Sequence, residues 1–189
     1  LELCVIAEEL GRFLAPVPFS SSVYLFTEAI IKYGSEEIKK DLLPKLVSGD
    51  VIGTLAVTED LFAPSKDNIK LSCESGKING KKIAVPDASI ATHALVVAKS
   101  DKGVCLQVAD LSHEGVSIEH QENIDESRGH FSITFKGVDT HAIGDEISGW
   151  DIYESIINQA AVLFAYEQIG GSQASLDMAV NYAKERYAF

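Results

Sequence analysis

The feature that most constrains this chain is a double change in its hydrophobic period. Up to about residue 50 the apolar residues recur at helical spacing, and Leu3, Ile6, Leu10, Phe13 and Leu14 share one helical face. From Val51 to about Ile147 the period falls to two, as in Phe131, Ile133 and Phe135 against Ser132 and Thr134. From Ser148 the helical period returns, with apolar residues at 152, 156, 160, 163, 164 and 169. A sequence written in one period does not settle in the other. The expected class is therefore α+β, with a helical segment over 1–50, a β-domain over 51–147 and the start of a helical bundle over 148–189.

Punctuation refines each zone. The first helix should end before Pro16-Val17-Pro18, because the residue before a proline is pushed out of helical conformation. A second helix is expected from about Ser22 to Tyr33, stopped by Gly34 as a left-handed cap. Ser35 should cap a third, with Glu36 and Glu37 in its first turn, Pro44 as a kink or restart and Gly49 as its end. Strands are expected at 51–58, 69–74, 78–85, 93–99, 104–109, 116–120 and 131–136. Asn79-Gly80 reads as a type I′ hairpin turn, and Asp101-Lys102-Gly103 as another turn. No helix-length segment separates the strands, so an antiparallel barrel or sandwich is expected rather than a parallel βαβ sheet. Ser148 is placed to cap the last helix, and Gly170-Gly171 inside it reads as close helix packing.

Composition closes off whole classes of partner. The chain of 189 residues carries 16 basic and 28 acidic residues, a formal charge of -12, which argues against nucleic acid or anionic membrane. No apolar run reaches the roughly 18–20 residues of a membrane span. Cys4, Cys73 and Cys105 form neither a disulfide framework nor a zinc pair, which suits a reduced, cytoplasmic setting. The chain opens without Met inside one helical pattern and stops inside another, as expected of a piece of something longer.

Self-contained chemistry is sparse. The five histidines form no HxH or HxxxH pair on an expected element, so no metal site is read. No GxSxG elbow, Walker loop or dinucleotide fingerprint occurs. Charge is uneven: residues 66–82 hold five lysines against Asp67 and Glu74, and residues 110–154 hold eleven acids against Arg128 and Lys136. Solvated strand edges explain such runs, since Lys and Asp discourage edge pairing. A lysine-bearing hairpin facing an anionic ligand is the sharper alternative.

Three segments, in order, resemble the acyl-CoA dehydrogenase superfamily. The first is Ala7-Glu8-Glu9-Leu10-Gly11-Arg12 with Ala15-Pro16-Val17-Pro18-Phe19, followed by Tyr33-Gly34-Ser35-Glu36-Glu37-Ile38-Lys39-Lys40, Leu43-Pro44 and Ser48-Gly49. Its wording is closest to bacterial subfamilies that degrade steroids and other bulky acyl-CoAs. The second is Leu55-Ala56-Val57-Thr58-Glu59 with Ile78-Asn79-Gly80-Lys81-Lys82. The third is Leu176-Asp177-Met178-Ala179 through Tyr182-Ala183-Lys184-Glu185-Arg186 to Phe189. The resemblance implies a flavoprotein that binds FAD between its β-domain and C-terminal helices. It would remove an α-proton and a β-hydride from an acyl-CoA, as a homo- or hetero-oligomer (dimer or tetramer) able to pass electrons to an electron-transfer-flavoprotein-type acceptor. Leu55, Val57 and Thr58 match the strand along the flavin, and Arg186 and Phe189 match residues that reach the FAD of a partner subunit. A guanidinium suits a pyrophosphate because it is always charged and binds bidentately.

The departures are specific. Ala63-Pro64-Ser65 stands where the family has Gly-Ser-Asp, and Ala84 and Pro86 stand where it has an aromatic residue and a Thr on the flavin face. A common Arg falls at Ala161, and one family position for the carboxylate base falls at Gln159, which cannot act as that base. No catalytic residue is assigned in this chain. Two other readings follow: a non-catalytic partner subunit of a heteromeric dehydrogenase, and a β-domain binding module with helical flanks.

Overall fold

The computed structural model describes residues 1–125 and 127–187. It divides into two compact units, one of residues 1–17 and 158–189, the other of residues 18–157.

The larger unit holds the β-domain. A π-helix over Ser20–Thr27 runs into α2 (Glu28–Tyr33), and α3 covers Glu36–Ser48. The Ser35 hydroxyl caps α3 by accepting from the Ile38 amide at 3.2 Å, and Gly49 ends it in the left-handed region at φ 83°. Two expectations change here. Gly34 is extended (φ −66°, ψ 146°) rather than left-handed; a Cβ there would lie 2.6 Å from the Ile30 carbonyl oxygen, so the close approach, not the dihedral, favours glycine. Pro44 lies inside α3 without ending it.

The strands are β1 (Gly53–Ala56), β2 (Ser72–Glu74), β3 (Lys77–Pro86), β4 (His93–Lys99), β5 (Val104–Asp110), β6 (Val116–Gln121) and β7 (His130–Ile143). All seven overlap the expected segments, and β7 runs on beyond the expected 131–136 to Ile143. Neighbours run β1-β4-β2-β3-β7-β5, β5 pairs back with β4, and β6 joins the outside of β7. Five strands thus close a ring, with β1 and β6 added to it. The sheet is mixed rather than wholly antiparallel: β1 lies parallel to β4 from Gly53–His93 to Ala56–Val96, and Ser72 of β2 meets Lys99 of β4 in parallel. The physical reason is the long excursion over 57–92. It carries the chain through a hairpin and back, so β4 re-enters in the same direction as β1.

The hairpin turn also differs from expectation. Asn79 and Gly80 sit inside β3, and the turn is Ser75-Gly76, both with positive φ (49° and 76°). That pair of angles is what a two-residue hairpin of matching twist requires. Asn79 instead accepts the Gly137 amide on Oδ1 at 2.7 Å. Gly80 lets Leu71 close in, since a Cβ there would lie 2.9 Å from Leu71 Cγ. The Asp101–Gly103 turn is present, closed by the Ser100 amide on the Gly103 carbonyl at 2.8 Å. Inside the ring, Ala56, Ile78, Val85, Val96, Ile133 and Phe135 form one buried apolar cluster.

One helix, α4, spans Gly149–Glu185. In the smaller unit its later part packs on α1 (Glu2–Arg12) through glycines. A Cβ on Gly11 would sit 1.9 Å from the Glu167 carbonyl oxygen, and one on Gly170 1.8 Å from that of Glu8. Of the Gly170-Gly171 pair, Gly170 therefore serves close packing, whereas Gly171 has room for a Cβ. The Leu3, Ile6, Phe13 and Leu14 face of α1 is exposed, whereas Ala7 and Gly11 are buried.

Candidate functional site: a strand end tied to a buried ion pair

β1 hydrogen-bonds to β4 only as far as Ala56. Beyond it the chain turns to β3: the Ile83 amide donates to the Thr58 carbonyl at 2.8 Å, and Lys82 Nζ donates to the Val57 carbonyl at 2.8 Å. Leu55 and Val57 are buried and Thr58 is half-buried. The Thr58 hydroxyl has no hydrogen-bond partner among the described residues. Leu55, Val57 and Thr58, three of the expected site residues, thus lie together along a strand end with a polar group to offer.

Helical anchors fix this strand. The π-helix turns three serines inward. Ser22 Oγ accepts the Gly53 amide at 3.2 Å, Ser21 Oγ donates to Asp87 at 2.6 Å, and Ser20 Oγ accepts from Arg128. Thr54 at the start of β1 donates to the Pro86 carbonyl at 2.6 Å, joining β1 to the end of β3. Wide π-helical turns are costly and recur next to functional sites.

Beneath the strand end lies a pair whose members the sequence reading quoted only within longer segments, with no partner assigned to either. The Lys82 side chain is 0% exposed and that of Glu59 is 9% exposed, and their charged ends are 2.7 Å apart. The Glu59 carboxylate also accepts the Lys70 amide on Oε2 at 2.8 Å and the Leu71 amide on Oε1 at 3.0 Å. Burial pulls Lys82 down to about 8, below the ordinary lysine range, and Glu59 opposes that fall. A signal was present in the sequence. In β3 the residues Ile78 and Lys82 have the same parity, so a lysine falls on the inward face and needs a partner.

At the far end of β3, Ala84 has φ 52° and its amide donates to Gln121 Oε1 at 2.7 Å. The register between β3 and β7 slips between Lys82 and Val85. Such a bulge re-aims the side chains around it. Ala84 and Pro86 present neither an aromatic ring nor a hydroxyl here.

The other expected residues are accounted for separately. Arg186 follows α4 in the smaller unit; it is exposed, with its guanidinium 5.6 Å from the Tyr182 ring centroid. Phe189 lies outside the described residues. The lysines of 66–82 are largely matched by carboxylates: Lys77 with Asp139 at 2.7 Å, Lys70 with Asp60 at 3.6 Å and Lys81 with Glu119 at 3.5 Å. Among the described residues no group of three or more His, Cys, Asp or Glu could hold a metal. Histidines serve locally, as where His113 Nδ1 accepts the Gly115 amide and His120 packs edge-on against Phe131.

The larger unit thus carries a closed β-ring with a strand end that leaves its ladder at Ala56 and bears the Thr58 hydroxyl. Residues 1–50 match the model of the acyl-CoA dehydrogenase N-terminal domain. Human mitochondrial short-chain specific acyl-CoA dehydrogenase is 28% identical over 206 residues, covering 100% of this chain and 50% of that protein. The steroid ACAD Tcur3481-Tcur3483 is 29% identical with a TM-score of 0.83, over 99% of this chain and 50% of that one. Butyryl-CoA dehydrogenase from Megasphaera elsdenii shares the fold at a TM-score of 0.91 with 22% identity, over 98% and 53% of the two chains. An FAD complex of PigA has the same fold, with a TM-score of 0.85. In sequence and in fold the chain is similar to acyl-CoA dehydrogenases, and its structural neighbours include an FAD-dependent dehydrogenase. It spans about half the length of the curated relatives it matches.

Proposed function

We propose that this chain is the FAD-binding portion of an acyl-CoA dehydrogenase. The supporting observation is the coincidence of chain-long similarity with an open strand end at Leu55, Val57 and Thr58, where the resemblance puts the flavin. In this reading the backbone at Val57–Thr58 and the Thr58 hydroxyl bond the polar edge of the ring system. Arg186, whose guanidinium is exposed, and Phe189 reach the cofactor of a second subunit. FAD, when bound there, would supply the redox chemistry for the β-hydride of an acyl thioester. The α-proton goes to a carboxylate base held in reach of that carbon. No residue here is assigned that role, because Gln159 has no basic group to offer. The substrate is an acyl-CoA, the acceptor an electron-transfer-flavoprotein-type protein, the assembly oligomeric and the compartment cytoplasmic.

The test is direct. Full-length protein supplied with FAD should turn yellow, and one of a panel of short, branched and steroid acyl-CoAs should bleach it anaerobically. A colourless protein that reduces no electron acceptor with any of them overturns the proposal.

Ala84 and Pro86 favour a second reading, in which the chain is the non-catalytic subunit of a heteromer. Co-purification with a second dehydrogenase-like chain that carries the flavin supports it. A flavin-loaded, active homo-oligomer excludes it.

A further inference from the structure

We propose that Lys82, together with Glu59, is a positioning residue of the flavin platform, fixing the Val57 carbonyl and so setting how Val57–Thr58 presents its polar groups. The inference rests on the FAD reading above and deepens it.

Ladder bonds to β4 end at Ala56, so another device must orient the next two residues. The Ile83 amide holds the Thr58 carbonyl at 2.8 Å, and one side chain holds its neighbour: Lys82 Nζ grips the Val57 carbonyl at 2.8 Å from within the barrel. An ammonium has three donors and no preferred direction, so a second acceptor is needed to hold it. Glu59 Oε1 is that acceptor, at 2.7 Å. Glu59 is held in turn by the Lys70 and Leu71 amides. A single carboxylate therefore sits at both mouths of the 60–69 loop, which carries Ala63-Pro64-Ser65. The pair ties together the end of β1, the approach to β2 and the middle of β3.

Stability alone does not call for this arrangement. Burying two charges is costly, and apolar residues of the same volume commonly serve a core as well or better. What apolar residues cannot do is hold a carbonyl in a chosen direction. Lys82 touches no ligand in this reading and acts through Val57.

The test uses full-length protein with FAD as the probe. A Lys82→Met, Glu59→Gln double variant removes both charges and leaves an amide oxygen at position 59 to accept from Leu71. It should melt within a few degrees of wild type, bind FAD about tenfold or more weakly, and show a shifted flavin absorption envelope. Wild-type affinity and spectrum in the folded double variant overturn the proposal. Glu59→Gln alone keeps an oxygen facing Lys82 and Leu71 and removes the charge that aims the ammonium. It covers the case in which the double variant does not fold. Its expected result, read well below its own melting temperature, is a severalfold weaker Kd, and an unchanged Kd again overturns the proposal. If wild-type protein binds no FAD at all, the underlying FAD reading is what fails.

Discussion

At the residue scale Lys82 is the most exacting position in the β-domain. Replacing it alone with Met leaves the Glu59 carboxylate buried with backbone amides as its partners. The expected loss is about 3–5 kcal/mol, read as a shift of the urea unfolding midpoint, while the double variant with Glu59→Gln recovers most of it. The pH dependence has a definite sign. Lys82 titrates near 8 in the folded state and in the ordinary lysine range when unfolded. Between those values the unfolded chain binds more protons, so on this account stability rises with pH. The buried Cys73 thiol, pushed up to about 12, acts oppositely above its ordinary range. The measurement is therefore a difference: from pH 8 to about 10.5, wild type should gain stability relative to the Lys82→Met, Glu59→Gln variant. A flat difference would contradict the assignment. This residue also marks where the sequence was hard to read. Lysines at 77, 81 and 82 look alike as a run, and only the parity shared with Ile78 separates the buried one.

At the scale of elements, legibility followed the strength of the periodic signal. Most strands were visible through apolar alternation, as in β3 and β7, whereas β4 is a continuous apolar run buried on both faces and bounded by turn residues. The hairpin turn was misplaced because Asn-Gly is a strong local signal, yet it lost to tertiary packing: Leu71 occupies the space beside Gly80, and the chain reverses at Ser75-Gly76. Parallel pairing of β1 was invisible for another reason. Which strands meet depends on the path of the chain over 57–92, and no local pattern reports it. Two glycines in α4 give an element-level test. Alanine is favoured over glycine by about 1 kcal/mol in a helix interior. Gly171→Ala should realise some of that gain, since its nearest neighbour outside the helix is the Gly11 oxygen at 3.5 Å. Gly170→Ala should instead destabilise, because its Cβ would meet the Glu8 carbonyl oxygen at 1.8 Å and one backbone must move. Thermal melts of the two variants should move in opposite directions.

At the scale of the whole molecule, the candidate site was legible only through resemblance. Leu55, Val57 and Thr58 carry no side chain that announces chemistry, because in the proposed reading a flat ligand would be met there by backbone and a single hydroxyl. Surface hydrophobicity gives a prediction independent of that resemblance. In the smaller unit Leu3, Ile6, Phe13 and Leu14 of the α1 region are exposed. So are Val162, Ile169, Leu176, Met178 and Tyr182 of α4. A helix with apolar residues spread around its circumference belongs in a protein interior. Exposed apolar patches beyond a few hundred Å² mark surfaces that bind something. Net charge of -12 opposes association of copies, yet it is screened within about 8 Å at physiological salt, whereas apolar contact is not. These 189 residues expressed alone should therefore bind 8-anilinonaphthalene-1-sulfonate and sediment as a concentration-dependent mixture, the more so as salt is raised. Changing Leu176 and Met178 to Lys should reduce both signals without altering the far-ultraviolet helix content, since both side chains are already exposed. A monodisperse monomer that leaves the dye dark at high salt would mean that the smaller unit covers these side chains in solution by rearranging α1 against α4.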